Sequence, residues 1–255
     1  MTPPDQLELG HRRTTSSHTI SLPYLSDLLR FVPSRSSYNE YAHAIVELNI
    51  LGRPTHTGRV RVLRHLRELY GLGDEPAFRL LRELYADAPD ELPLLAGLLA
   101  VTQDEFLRAS WQAVARAGEG ARVSSADLAD AIAAQFGGDV ADATYAKAGR
   151  NVAASWTQTG HLVGVRAKRR TRAAAGAAAT ACAVGLGYLA GRRGAGLLDT
   201  PWFALLDLPD EQRRDSLDDA HRAGLIDVRA AGSVLEIDAS PLLTRAGVHI
   251  QGGQA

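Results

Sequence analysis

SADLADAIAAQFGGDVADATYAKAGRNVAASWTQTGHLVGVRAKRRTR, residues 125–172, is the stretch on which the architecture turns. Ser124 or Ser125 caps a short helix, ADLADAIAAQF, because a serine hydroxyl can accept from the free N–H groups of a first turn. Gly137-Gly138-Asp139 make a turn. A second helix runs from about 141 to 158, where Val152 and Trp156 share an i,i+4 face that reads as core. Ser155 and Gln158 read as surface or backbone contacts. Gly160 ends the helix, HLVGV reads as a strand, and a basic loop follows. Short helix, turn, longer helix, strand and basic loop is the order of a winged helix-turn-helix.

N-terminal to this stretch the pattern is helical from about 23 to 116. Tyr24, Leu25, Leu28 and Leu29 share a face, as do Tyr41, Ala44, Ile45, Leu48 and Ile50. TGRVRVLRHLRELY (57–70) puts Val62, Leu63, Leu66, Leu69 and Tyr70 on one side, and Gly71 and Gly73 stop it. Pro76 opens a further helix, Leu92 to Ala100 reads as buried, and 103–116 carries Phe106, Leu107, Trp111 and Val114. Residues 1–20, with Pro3, Pro4 and a Ser/Thr run, read as poorly ordered. C-terminal to the stretch, Trp202, Phe203, Leu205 and Leu206 form a short helix and Pro209 opens another to about Ala223. LIDVRA, a turn at Gly232 and SVLEID then resemble a second wing, and QTGHLVGV and RAGLIDVR match closely enough to suggest a structural repeat. The expected class is mainly α: an N-terminal helical bundle followed by winged helix-turn-helix elements with short β-hairpins. The expected units are 21–118, 122–198 and 199–255, the last with a C-terminal tail.

The net charge of −1 hides a strong asymmetry. From Ala143 to Leu198 there are nine Lys or Arg residues and no Asp or Glu, so the rest of the chain carries −10. A local excess of cations is what phosphate binding needs, since released counterions supply sequence-independent affinity. In the helix 141–158, Thr144, Tyr145, Lys147, Ala148 and Asn151 lie toward the N-terminal half, where a recognition helix meets base edges. Asn151 suits adenine, and Arg150 suits guanine or phosphate. For any one of these positions a solvent-facing polar residue is the plainer reading. Arg166, Lys168, Arg169, Arg170 and Arg172 form the expected wing, a phosphate or minor-groove contact. A second cluster, with Arg59, Arg61 and Arg64, reads equally as a solvated bundle face or as secondary phosphate contacts.

Forty-five per cent hydrophobic residues are enough to fill a core. One cysteine, Cys182, excludes an internal disulfide and a cysteine-built zinc site. AAAGAAATACAVGLGYLA (173–190) is uncharged, but alanine and glycine insert weakly into membranes, so a buried core helix is the better reading. The N-terminus lacks the apolar run of a secretory signal, which makes the cytoplasm the default compartment. Neither a phosphate-binding Gly-Lys-Ser/Thr loop nor an H-E-x-x-H spacing occurs, and the eight histidines are scattered. Asp215, Asp218 and Asp219 beside Arg213 and Arg214 read as a solvated helix face. Nothing here argues for a catalytic site, a metal or a cofactor.

Four segments together resemble one known family. ELNILGRPTHTGRVRVLRHLRELYGL (47–72), LLAGLLAVTQDEFLRASW (94–111), VSSADLADAI (123–132) and DATYAKAGRNVAASWTQTGHL (142–162) are similar, in order and spacing, to the BrxA component of bacterial BREX phage-resistance systems. The resemblance spans most of 47–162. The long Ala/Gly helix and the apparent second wing at 225–238 depart from it. It implies a small helical accessory protein that binds double-stranded DNA without enzymatic activity, encoded beside a methyltransferase, an ATPase and a PglZ-type protein. Some family members carry an inner-membrane label, which 173–190 does not support here. The competing expectations are a protein–protein adaptor within a defence complex, since winged helices also serve as docking modules, and a winged-helix transcriptional regulator.

Overall fold

Apolar residues at three- and four-residue spacing build the first six helices: α1 (Leu22–Phe31), α2 (Tyr38–Val46), α3 (His56–Tyr70), α4 (Pro76–Asp87), α5 (Leu92–Gln103) and α6 (Glu105–Arg116). Ser37 and Glu40 form a reciprocal capping box at α2, Thr55 Oγ1 accepts from Gly58 N at α3, and Asp104 caps α6. Gly71, at φ +64°, ends α3 in the left-handed conformation that glycine adopts without strain. α5 is buried on almost every side. Leu48 is exposed, because α2 stops at Val46 and Asn49 turns the chain with φ +53°. The computed structural model describes residues 7–139, 141–231 and 234–249.

Next come α7 (Ser125–Phe136), a 3-10 turn (Gly137–Asp139), α8 (Asp142–Gln158), β1 (Leu162–Val163), β2 (Arg169–Arg170) and α9 (Ala177–Leu189). Ser124 rather than Ser125 is the cap of α7, in a box with Asp127. The strand expected from HLVGV contracts to two residues. The chain continues through α10 (Pro201–Leu205), α11 (Asp210–Arg222), β3 (Asp227–Ala231), β4 (Val234–Asp238) and α12 (Ser240–Arg245), a helix the sequence pattern did not suggest. Among the described residues the protein is mainly helical, with two antiparallel two-stranded sheets, β1–β2 and β3–β4. The expected turn residue Gly232 and the tail 250–255 lie outside the described residues.

One hydrophobic cluster runs through all three expected units. Its centre is α9, which contacts α4, α5, α10, α11 and α12. The close approach depends on small residues: a Cβ on Gly185 would lie 3.0 Å from Leu80 Cδ1. Gly176 lacks a capping side chain, and Glu91 supplies one from the turn before α5, accepting from the backbone N–H groups of Gly176, Ala178 and Ala179. Cys182 is fully buried here, and burial pushes its thiol up, so it is packing rather than chemistry. Among the described residues no helix is long and apolar enough to cross a membrane.

Residues 7–20, where poor order is expected, run across the helices as a strap. Arg12 N–H donates to Gln103 O and Glu105 N–H to Arg12 O, and Thr15 and Ile20 are fully buried. The residues 1–6 of that expectation lie outside the described residues. The apparent repeat has a local origin. Gly160 and His161 donate to Thr157 O and Trp156 O, and Gly224 and Leu225 donate to His221 O and Ala220 O. These are two copies of one glycine helix-end motif, which α9 and α12 also use.

α7 and α8 touch backbone to backbone at Gly149. A Cβ there would stand 2.1 Å from Ser125 O and 2.9 Å from Ala129 Cβ. Gly149→Ala would gain about 1 kcal/mol of helix propensity in an isolated helix. Here it is expected to lower stability by about 2 kcal/mol, because α7 must move. Urea denaturation of the variant checks this, and a midpoint at or above wild type contradicts it.

Candidate nucleic-acid interface

Gly120 to Val123, between α6 and α7, lies along β2. Arg170 N–H donates to Ala121 O, Gly120 N–H to Arg170 O and Val123 N–H to Lys168 O, and Arg122 pairs with Arg169. β1 lies on the other side of β2, pairing Leu162 with Arg170 and Val163 with Arg169. The β1–β2 turn starts at Gly164, where φ is +105° and a Cβ would sit 2.5 Å from Ala167 O. Val165, at the tip, is 91% exposed.

This small sheet, the start of α7 and the middle of α8 enclose a groove of about 380 Å³. Its lining includes Arg122, Arg150, Arg166 and Lys168 and no carboxylate. Lys168 Nζ donates to Thr157 Oγ1 at 2.7 Å, and partial burial lowers its pKa, so it is anchored in the groove wall. Arg122, Arg150 and Arg166 are exposed and make no side-chain hydrogen bond or ion pair among the described residues. Four cations in a lining that holds no carboxylate attract an anion with several negative oxygens.

Several residues expected on this surface do other work. Arg170 is buried, at 6% exposure. Its Nε donates to Val114 O at 2.9 Å, and Nη2 lies 2.5 Å from Asp207 Oδ2, an ion pair outside hydrogen-bond angles. It is therefore an internal tie rather than a wing contact, because antiparallel alternation turns it inward while Arg169 faces out. Arg169 Nη1 donates to Gly120 O. Arg172 is exposed but donates to Asp207 O at 3.0 Å and faces Glu119 at 3.5 Å. Tyr145 is buried against Phe106, with its hydroxyl donating to Gly137 O. Asn151 Nδ2 donates to Thr15 O at 2.9 Å, which takes up the amide that adenine pairing needs. Ser155 is fully buried and accepts from Ile20 N–H, and Gln158 Oε1 accepts from Leu22 N–H. Trp156 is core, donating to Ser110 Oγ at 2.8 Å. Thr144 is half-buried, while Lys147 and Arg150 are exposed.

The second basic cluster meets the first at the strap. His18 lies against His65 of α3, with ring centroids 3.3 Å apart and the rings tilted by 43°. Burial, then the charges of Lys147 on α8 and Arg61 and Arg64 on α3, hold the His18 pKa down. Arg61 and Arg64 are exposed, and Arg64 lies 3.8 Å from Glu68. Arg59 is half-buried, with a buried Nε that has no partner. Nothing local in the sequence marks Arg122 for the groove, since its place there follows from pairing across forty-seven residues to Arg169. Asp215, Asp218 and Asp219 do lie on a solvated helix face, where Arg214 and Arg222 pair with Asp218 and Asp219.

No protein-family model matches the chain, and no curated protein matches it either. Among the described residues no group of three or more His, Cys, Asp or Glu side chains could hold a metal ion.

Two buried histidines give the fold an acid-sensitive edge. His161 Nε2 donates to Leu205 O at 2.9 Å, since a carbonyl can only accept, and Nδ1 faces Thr159 Oγ1 at 2.8 Å. Burial lowers its pKa to about 4, and burial with the nearby His18 and arginines does the same to His65. Unfolded histidines bind protons near pH 6.5. The unfolded chain thus takes up protons between about 6.5 and 4 that the folded chain refuses, and stability falls as pH drops through that window. His161 alone accounts for a loss on the order of 3 kcal/mol at the acid end. Burial raises the Asp104 carboxyl and opposes this trend, so the test is a difference: the urea midpoint should fall less between pH 7 and 4.5 in His65→Asn than in wild type, and equal falls contradict the assignment.

Proposed function

We propose that this chain is a non-enzymatic protein that binds double-stranded DNA, and that residues 120–172 act as its winged helix-turn-helix. The observation that carries the reading is the groove in which Arg122, Arg150, Arg166 and Lys168 converge with no carboxylate. The order of elements supports it: α6, an extended segment at 120–123 paired to β2, α7, α8, then β1 and β2. On this reading α8 is the recognition helix, the β1–β2 turn is the wing, and the groove receives backbone phosphates. Lys147, Arg61 and Arg64 extend the contact toward α3, and Thr144 is the remaining base-edge candidate. Such contacts give affinity and register more than sequence choice. The resemblance of 47–162 to BrxA sets this activity in a BREX phage-defence locus, beside the methyltransferase, ATPase and PglZ-type protein that the family implies.

A protein-docking reading draws on one feature, the wing tip, where Val163 and Val165 are exposed side by side with the basic groove. An adaptor would bury these valines against a partner and leave DNA unbound.

Fluorescence anisotropy on a short duplex across a salt series separates the two. Wild type is expected to bind at low salt and to lose affinity steeply as salt rises. Replacing Arg122, Arg150 and Arg166 by alanine should weaken binding to unrelated duplexes alike and flatten the salt slope by roughly 2–3. Affinity that is unaltered in the triple variant sinks the groove, and no binding at low salt favours the adaptor.

A further inference from the structure

A second concentration of arginine shares no residue with the basic groove. Arg35, Arg79, Arg82 and Arg245 line a cavity of about 220 Å³ between the α1–α2 turn, α4 and the end of α12. Two carboxylates also line it, and both are engaged: Asp74 with Arg79 at 2.8 Å and Glu83 with Arg245 at 3.0 Å. Two cations are left over. Arg35, exposed at the rim, makes no side-chain hydrogen bond or ion pair among the described residues.

Arg82 is the sharper observation. It is only 7% exposed, and no carboxylate pairs with it. Nη1 and Nη2 donate to Leu29 O and Val32 O, both at 2.8 Å, which closes the end of α1. Its Nε is buried with no partner. The groups that favour its charge are the phenols Tyr41 and Tyr85, and burial pulls its pKa down. A guanidinium nevertheless stays protonated in proteins. A buried cation without a counter-ion is costly, and an anion held in the cavity offsets its charge.

We propose that this cavity binds a phosphate group, a compact oxyanion whose two negative charges match the two unpaired guanidiniums. Arg82 forms the buried wall of the site, and Arg35 closes over the group from the rim. Planar guanidinium donors suit such oxygens better than an ammonium does. The cavity has room for more than the bare ion, so the group can belong to free phosphate or to a small phosphomonoester.

Isothermal titration of the full chain with inorganic phosphate, at ionic strength held constant with chloride, tests the site. Saturable binding is expected in wild type, with at least a tenfold loss in Arg35→Glu. Arg82→Met also unties α1, so the rim variant decides, and its melting temperature in chloride should equal that of wild type. An Arg150→Glu/Arg166→Glu double variant should bind phosphate as wild type does, whether or not DNA binding survives. Phosphate that binds no better than chloride overturns the proposal, as does equal binding in Arg35→Glu, or loss of binding in the double variant. Glycerol 3-phosphate as a second titrant separates the sources. Tighter binding than phosphate assigns an esterified ligand, equal or weaker binding assigns the free ion, and both keep the site.

Discussion

The fully buried carboxylate of Asp104 joins parts of the molecule that are otherwise far apart in sequence. Oδ1 accepts from Leu107 N–H, which caps α6, and from the Thr15 hydroxyl at 2.7 Å; Oδ2 accepts from Thr15 N–H. A buried carboxylate is tolerable only when its lone pairs are filled this way. Once Thr15 is held, the strap around it holds α8: Thr15 O accepts from Asn151, Ile20 N–H reaches Ser155, and Leu22 N–H reaches Gln158. Ile20 O also accepts from the buried Tyr70 hydroxyl of α3. The orientation of α8 relative to α3 and α6 therefore depends on a segment whose composition suggests a loose tail.

That arrangement divides the faces of α8. Asn151, Ser155 and Gln158 turn toward the strap, Val152 and Trp156 toward the core, and Arg150 toward the groove. Arg170 divides the basic stretch in the same manner. By tying β2 to Val114 O and Asp207, it joins the small sheet to α6 and to the segment after α10. Partial truncation of such a buried pair strands the remaining charge, which makes it a structural commitment of the fold. The surface charge is thus smaller than the run of arginines suggests, but it is concentrated where no carboxylate opposes it.

Helix positions were legible because they depend on local rules. Spacing of leucines, serine caps and glycine stops marked α1, α3, α4, α7, α8 and α11 within a few residues. The buried character of α9 was also legible, since an uncharged Ala/Gly helix has no solvent face to offer. α12 was missed because six residues are too few to show a period. The likeness between QTGHLVGV and RAGLIDVR was real but local, a shared helix-end hydrogen-bond pattern.

By itself the sequence determined the mainly helical class, the order of elements through 125–172 and the charge asymmetry, all of which follow from periodicity and counting along the chain. Only the tertiary structure decided which charges are free. Arg170 and Arg169 are neighbours, and the pleat of one short strand sends the first inside and leaves the second out. Arg122 joined the groove through pairing across the sheet, and Asn151 left it for Thr15 O. A side chain's partner depends on what the fold brings within about 3 Å, and residue type alone carries no record of that distance.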